Sequence, residues 1–142
     1  MTRRTLLVTF FLDQLSKFLI LKTLSAGQSV PVLPSSFHLT LVHNTGIAFG
    51  LLQGRSQVLF WVNLVILAVL FILMGLRLFK KPTLQIGVGM IAGGGLGNLV
   101  DRIRFGSIVD FLDFRIWPVF NLADSAICIG TFLVLLALFQ KR

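Results

Sequence analysis

Long apolar runs alternate with short polar connections along the chain. Four apolar runs are visible, at residues 6–24, 57–78, 84–100 and 119–139. A helix needs about 20 residues to cross the roughly 30 Å hydrocarbon core of a bilayer, and each run is close to that length. The pattern predicts an all-α membrane protein with four transmembrane helices in one integral-membrane domain, residues 1–142.

The composition also indicates a lipid environment. Hydrophobic residues make up 56% of the chain and charged residues only 13%, against about 25% charged residues in a typical soluble domain. So few charges could not keep so apolar a chain in water, because little polar surface would cover the apolar core. A soluble enzyme, a disordered tail and a secreted disulfide scaffold are excluded. The single cysteine, Cys128, is interpreted as a small hydrophobic residue.

Basic residues orient the predicted helices. The net charge of +8 is also typical of nucleic-acid-binding proteins, but here the basic residues cluster at the ends of apolar runs, so no nucleic-acid partner is predicted. Three clusters contain no acid: Arg3 with Arg4, Arg77 with Lys80 and Lys81, and Lys141 with Arg142. The positive-inside rule places them in the cytoplasm. Both termini are therefore predicted inside, with a retained first helix and with connections 25–56 and 101–118 outside.

The first outer connection has the period of a β-strand. Phe37, Leu39 and Leu41 alternate with more polar neighbours, as in a half-buried strand. The prolines within residues 30–34 favour an extended backbone there. A small extracytoplasmic β element is predicted, followed by a short interfacial helix at residues 48–52.

Glycines recur at every fourth position in the third apolar run. Gly89, Gly93 and Gly97 would lie on one helix face and let a neighbouring backbone approach closely. The alternative, a nucleotide-binding glycine loop, lacks both a preceding strand and a Walker lysine. Close helix packing is the interpretation that we prefer.

The chain has five acidic residues, all aspartates. An ionisable group inside a bilayer is expensive, so each is a functional candidate. Asp13 and Lys17 lie four residues apart on one helix face, which predicts a structural ion pair; a direct part in catalysis is the alternative. Asp113 is interpreted as a surface ion pair with Arg115, which has little energetic weight.

Asp110 and Asp124 differ from the other aspartates. Both have apolar neighbours, they flank a short connection, and neither has a base at helical spacing. Two carboxylates in a low dielectric repel each other, so such a pair tends to hold a single proton. That state suits amide hydrolysis, because the carboxylate deprotonates water while the carboxylic acid protonates the carbonyl oxygen. His38 and His43 are not spaced as a zinc site, so no metal and no cofactor are predicted.

Five motifs in this order resemble those of the bacterial lipoprotein signal peptidases, or type II signal peptidases. They span the chain and read DQLSK (Asp13 to Lys17), HNTGIAFG (His43 to Gly50), GGLGNLVDR (Gly94 to Arg102), IVDF (Ile108 to Phe111) and FNLADS (Phe120 to Ser125). The resemblance implies an intramembrane aspartic peptidase of the bacterial cytoplasmic membrane. Such an enzyme removes the signal peptide of a prolipoprotein by cutting before the diacylglyceryl-modified cysteine, and globomycin inhibits it.

The resemblance also implies roles for individual residues. The catalytic pair would be Asp110 and Asp124, near the outer face of the membrane. Substrate binding or ordering of the site would fall to Asn44, Asn98, Arg102 and Asn121. Asp101 would support Arg102, while the roles of Asp13 and Lys17 stay open. The implied partners are diacylglyceryl-modified prolipoproteins, membrane lipid and a globomycin-type inhibitor, and the protein is expected to act as a monomer.

Two other functional classes compete with the peptidase. A proton-coupled transporter or channel would use Asp13, Lys17 and Asp124 as a proton path. It would need polar groups in the inner half of the bundle, where the second apolar run offers only Asn63 and residues 132–139 offer none. A structural assembly factor that packs through its glycines would leave the cluster of aspartates and asparagines unexplained.

Overall fold

Four helices and three strands make up the described part of the chain. The computed structural model describes residues 1–46 and 51–139. The helices are α1 (Thr2–Thr23), α2 (Ser56–Gly75), α3 (Pro82–Phe105) and α4 (Leu122–Phe139), and the strands are β1 (Ser29–Leu33), β2 (Phe37–Asn44) and β3 (Ile108–Asp113). Each predicted apolar run thus overlaps one helix. The helix α3 continues past residue 100 and ends where Gly106 adopts a left-handed conformation, with φ at 68°.

Three of the described helices, α2, α3 and α4, are long and apolar enough to cross a membrane. The outer surface of the bundle suits lipid, since large apolar side chains are exposed along α2, where Leu67 alone is buried. The helix α1 has 22 residues but carries five charged side chains and is not among the three. The fold is thus a mostly helical, membrane-type fold, and the count of four spans stays a prediction.

The predicted glycine face of α3 packs closely against a neighbouring helix, which the structure shows to be α1. A Cβ on Gly93 would lie 2.6 Å from the carbonyl oxygen of Leu6, and one on Gly89 would lie 2.7 Å from the carbonyl oxygen of Thr2. A Cβ on Gly97 would overlap the carboxylate of Asp13. Only a hydrogen fits at these positions, so the prediction of close helix packing is confirmed.

A second glycine face of α3, which the sequence did not predict, contacts α4. A Cβ on Gly87 would lie 2.7 Å from the carbonyl oxygen of Gly130, and one on Gly94 would lie 2.6 Å from that of Ala123. Because α3 has a glycine face on either side, it lies between α1 and α4. This arrangement brings the polar residues of all three helices together.

A three-stranded antiparallel sheet in the order β1-β2-β3 confirms the predicted β element. The strand β3 lies in the second connection, where the sequence predicted no strand. It pairs with β2 so that Asp110 lies opposite Val42. Buried Leu41 and Val109 pack with Ile20 near the end of α1, which fixes the sheet against the bundle. Most of the helix predicted at residues 48–52 lies outside the described residues.

Candidate active site

Asp110 is held on β3 by two amide groups. Its Oδ1 accepts a hydrogen bond from Nδ2 of Asn121 at 2.7 Å, and its Oδ2 accepts one from Nδ2 of Asn44 at 2.9 Å. The side chain is buried. Burial, followed by the charge of Asp124, raises the pKa of Asp110 to about 7, although the hydrogen bonds from Asn44 and Asn121 oppose that rise. At neutral pH this carboxyl group is therefore poised between its two protonation states.

Asp124 lies in the first turn of α4, where it takes part in the helix cap. Oδ1 of Asn121 accepts the backbone N–H of Asp124 at 2.9 Å, and Oδ2 of Asp124 accepts the backbone N–H of Asn121 at 3.3 Å. These reciprocal bonds form a capping box, with Asp in the place usually taken by Glu or Gln. The other oxygen of Asp124 accepts a hydrogen bond from Nδ2 of Asn98 at 2.9 Å.

The two carboxyl groups are thus bound in the same way. Each of their four oxygens accepts a hydrogen bond from a neutral amide of Asn44, Asn98 or Asn121. A carboxylate oxygen has two acceptor positions, so each oxygen keeps one for water or a proton. A cation bonded directly to either group would favour its ionised form. Neutral donors fix the orientation of the carboxyl groups and still allow one of them to be protonated.

A buried ion-pair cluster supports the amides from behind. Nζ of Lys17 lies 3.0 Å from Oδ1 of Asn98, 2.9 Å from Oδ2 of Asp13 and 2.7 Å from Oδ2 of Asp101. These three contacts match the three hydrogens of an ammonium group. The pair of Asp13 and Lys17 is confirmed, and it is fully buried. Lys17 reaches the carboxyl group of Asp124 only through Asn98.

Asp101 has a different partner from the one expected. Its ion pair is with Lys17 and not with the adjacent Arg102, and its Oδ2 also accepts the backbone N–H of Val109 at 3.1 Å. Asp101 therefore anchors β3 to α3. Gln14, for which no role was predicted, joins the same cluster by donating from Nε2 to Oδ1 of Asp101 at 3.1 Å.

Asp13 connects the cluster to the start of α4. Its Oδ1 accepts the backbone N–H of Ala123 at 2.9 Å, one of the first-turn donors that lack a partner within a helix. Ala123 immediately precedes Asp124. Asp13 therefore fixes the position of the helix end that carries one of the two candidate catalytic groups.

A cavity of about 720 Å³ opens over the two carboxyl groups. Its polar lining includes Arg102, whose buried Nε has no hydrogen-bond partner among the described residues. The rest is mostly apolar and comes from Ile108, Phe114, Ile116, Trp117, Pro118, Val119, Phe120, Ile127 and Cys128. A mostly apolar lining with a few polar groups suits a peptide in an apolar setting.

Other polar residues lie away from this cavity. Asp113 pairs with Arg115 at 3.0 Å, as predicted, but its carboxylate is buried and also accepts a bond from Thr40, so it is not a surface group. Hydrogen bonds from Thr40 and Arg115 outweigh the effect of burial and lower the pKa of Asp113. Among residues 1–46 and 51–139, no three His, Cys, Asp or Glu side chains are grouped so as to hold a metal ion. Residues 47–50 of the HNTGIAFG motif are outside the described part.

Known proteins resemble this chain in both sequence and fold. A model of the family described as signal peptidase (SPase) II matches residues 5–140. The lipoprotein signal peptidase of Halothermothrix orenii is 44% identical over 96% of this chain and 93% of its own length, and that of Nostoc punctiforme is 49% identical over 94% and 86%. A bacterial membrane enzyme solved by the in meso method at 2.3 Å resolution superimposes with a TM-score of 0.88 at 31% identity, covering 96% of this chain and 86% of that one.

Proposed function

Because the chain belongs to the signal peptidase II family, and is therefore a protease that acts on lipoprotein signal peptides, we propose that it is an aspartic peptidase whose catalytic pair is Asp110 and Asp124. It cuts a prolipoprotein just before the cysteine that carries diacylglycerol. One observation carries the proposal. The two carboxyl groups line one cavity and are oriented by neutral amides.

The proposed reaction uses one proton shared by the pair. The ionised carboxylate takes a proton from water while the water oxygen bonds to the scissile carbonyl carbon, and the protonated carboxyl group donates to the carbonyl oxygen. The resulting gem-diol then returns a proton to the carboxylate. The amide nitrogen receives the other transferred proton as the C–N bond breaks, so atoms and charges balance. The reaction calls for no cofactor.

Three kinds of residue support this chemistry. Asn44, Asn98 and Asn121 orient the pair through the hydrogen bonds described above. Arg102 binds a substrate backbone carbonyl, which provides the acceptor that its buried Nε lacks. Asp13, Lys17 and Asp101 act behind the site, where they hold Asn98 and the start of α4 in place.

The proposed topology has four spans with both termini in the cytoplasm. The helix α1 is counted as the fourth span because its buried Asp13 and Lys17 neutralise each other within the bundle, while Arg3, Arg4 and Lys22 lie near its ends. The sheet and the cavity then lie near the outer face of the bacterial cytoplasmic membrane. There the lipid on the substrate holds the cleavage point at the depth of Asp124. The enzyme acts as a monomer, and a globomycin-type inhibitor occupies the same cavity.

The experiment is cleavage of a purified, lipid-modified prolipoprotein by Asp110→Asn and Asp124→Asn in lipid or detergent. Each variant is expected to lose about a hundredfold or more in rate, since each loses a proton-transfer group. Asp113→Asn is the matched control, because this aspartate lies outside the cavity, and it should cleave normally. Wild-type rates for the first two variants, in protein that elutes and unfolds normally, would contradict the proposal.

A further inference from the structure

A second cavity lies at the end of the bundle opposite the candidate active site. It measures about 610 Å³ and is formed by the start of α1, the end of α2, the link that follows and the first turn of α3. In α3, Gln85 lines this cavity and Asp101 belongs to the active-site cluster. Sixteen residues of helix separate them, a distance of about 24 Å at 1.5 Å per residue.

Four cationic side chains line this cavity and no acidic side chain does. They are Arg3 and Arg4 from α1, and Arg77 and Lys80 from the link between α2 and α3. None of the four belongs to an ion pair of the described residues. The five aspartates of the chain all lie elsewhere. Asp13, the nearest along α1, is nine residues beyond Arg4 and already bonded to Lys17. The mutual repulsion of the cations is therefore not offset within the described protein.

The positive-inside rule accounts for basic residues on this side of the membrane, but not for their meeting around one cavity. Lys81 illustrates the difference. It belongs to the same basic cluster in the sequence, yet its Nζ donates to the carbonyl oxygen of Ala137 at 2.8 Å, at the end of α4. In this basic cluster, Arg77 and Lys80 line the cavity, whereas Lys81 stabilises the end of α4.

The cavity also has apolar lining, which an amphiphilic ligand would contact with its apolar part. Met74 and Phe79 provide apolar surface beside the cations. Leu76 and Leu78, on either side of Arg77, are both more than half exposed, as expected where protein meets lipid. A free inorganic anion would not use these apolar groups. A phospholipid would, because the ester region and first methylenes follow directly on the phosphate.

We propose that this cavity binds the headgroup phosphate of an anionic phospholipid, with Arg3, Arg4, Arg77 and Lys80 as its charged partners. The proposal does not rest on the proposed catalytic mechanism, since the two cavities share no residue. It gives the basic end of the bundle a lipid ligand in addition to its part in orienting the chain.

The test compares lipid binding by the wild type and by an Arg77→Gly/Lys80→Gln double variant. Arg77 has φ at 55°, a conformation that glycine adopts at no cost, so the variant should fold. Native mass spectrometry and thermal unfolding would be followed with phosphatidylglycerol, phosphatidylcholine or inorganic phosphate added. We expect phosphatidylglycerol to bind the double variant roughly 30-fold more weakly, since each basic residue near a membrane surface contributes about fivefold.

Two further variants complete the test. Arg3→Gln/Arg4→Gln removes the other two cations and should weaken binding to a similar extent. Lys22→Gln/Arg55→Gln removes two exposed cations that do not line the cavity, and it should bind as the wild type does. Equal affinity of all four proteins would overturn the proposal. So would a stabilisation by inorganic phosphate or phosphatidylcholine equal to that by phosphatidylglycerol.

Discussion

Asn121 and Asp124 hold each other through two hydrogen bonds at the start of α4. The side-chain oxygen of Asn121 accepts the backbone N–H of Asp124 at 2.9 Å, and the carboxylate of Asp124 accepts the backbone N–H of Asn121 at 3.3 Å. Nδ2 of the same asparagine donates to Asp110 at 2.7 Å. One residue therefore caps the helix and binds both carboxyl groups, that of Asp110 through its side chain and that of Asp124 through its backbone.

Substitutions of Asn121 should separate these two tasks. Serine can still cap the helix but cannot donate to Asp110, whereas alanine can do neither. Asn121→Ala is expected to be about 1 kcal/mol less stable than Asn121→Ser, the usual value of an N-cap. Both should cleave at least about tenfold more slowly, since a donor to the carboxylate is lost. Thermal unfolding and cleavage rates measure the two effects.

The pH profile of the Asn121 variants provides a readout that a purely structural role would not change. The lost hydrogen bond favoured the ionised form of Asp110, so its removal should raise the pKa of that carboxyl group further. The alkaline limb of the rate profile, where the pair loses its single proton, should move to higher pH in both variants. An unchanged profile would show that Asn121 does not tune Asp110.

The raised pKa of Asp110 should make stability depend on pH. Burial and the charge of Asp124 raise this pKa to about 7, against about 3.9 in an unfolded chain. Between these values the folded protein holds a proton that the unfolded chain has released, so wild-type stability falls as pH rises towards 7. The cost above pH 7 is at most about 4 kcal/mol, from about 1.4 kcal/mol per pH unit.

Asp110→Asn removes that dependence, so its stability relative to the wild type should increase from pH 5 to pH 8. The measured quantity is the slope of this stability difference against pH, because altered hydrogen bonds add an offset that does not vary with pH. Asp113→Asn is the control with the opposite sign. The pKa of Asp113 is lowered, so its contribution is present at neutral pH and is lost on acidification. Parallel curves for wild type and Asp110→Asn would contradict the prediction.

Removing Lys17 should destabilise the whole protein. Lys17→Met leaves the buried carboxylates of Asp13 and Asp101 without their cation, a change that typically costs about 3–5 kcal/mol. Asp13→Asn/Lys17→Met should recover part of the loss, because an amide oxygen can still accept the N–H of Ala123. Thermal unfolding in detergent measures both.

Lys22→Met is the matched control for Lys17→Met. It makes the same change at an exposed position of the same helix, so it should alter stability by no more than about 0.5 kcal/mol. If the loss of stability in Asp13→Asn/Lys17→Met equalled the sum of the losses in the two single variants, Asp13 and Lys17 would not be a coupled pair.

Gly97 should tolerate no larger residue. A Cβ there would overlap the carboxylate of Asp13, which cannot move because it is bonded to Lys17 and to the N–H of Ala123. Gly97→Ala is expected to cost about 1–3 kcal/mol, as overpacking does. At Gly75 a Cβ meets nothing within 4 Å, so Gly75→Ala should unfold at or above the wild-type temperature. Equal melting temperatures for the two variants would refute the packing argument.

Cys128 offers a chemical test of the cavity. It is the only cysteine in the chain, it is exposed, and it lines the cavity one helical turn beyond Asp124. Alkylation with N-ethylmaleimide should fill space that the substrate needs and lower the cleavage rate. Cys128→Ala should cleave normally and resist the reagent. Full alkylation, verified by mass spectrometry, without loss of rate would place the substrate elsewhere.

The helices and the close packing of one glycine face could be predicted because each depends on a local repeat, whereas the partner of that face, α1, could not. Apolar run length predicts helices, and the spacing of Gly89, Gly93 and Gly97 predicts a face. The strand β3 could not be predicted this way. Five of its six residues are buried, so it lacks the alternation that indicates a half-buried strand. Without that strand, the position of Asp110 relative to Asp124 could not be derived from the sequence.

The sequence indicates which charged residues matter, but it does not indicate which residues they pair with. Asp101 and Arg102 are adjacent in the chain, but consecutive residues of a helix point about 100° apart. Lys17 lies far away in sequence and reaches Asp101 across the contact between α1 and α3. Sequence spacing identifies ion pairs within one helix, such as Asp13 with Lys17, but not pairs that form when helices dock.

The contacts of the buried ion-pair cluster of Asp13, Lys17 and Asp101 have a consequence for biogenesis. Its bonds come from α1 and α3, from the backbone of β3 through Val109 and from the first turn of α4 through Ala123. The pair of carboxyl groups is therefore set in place only when α4 has docked against α1. On the proposed mechanism, a chain whose α4 has not docked already carries the residues of the site but cannot cleave its substrate.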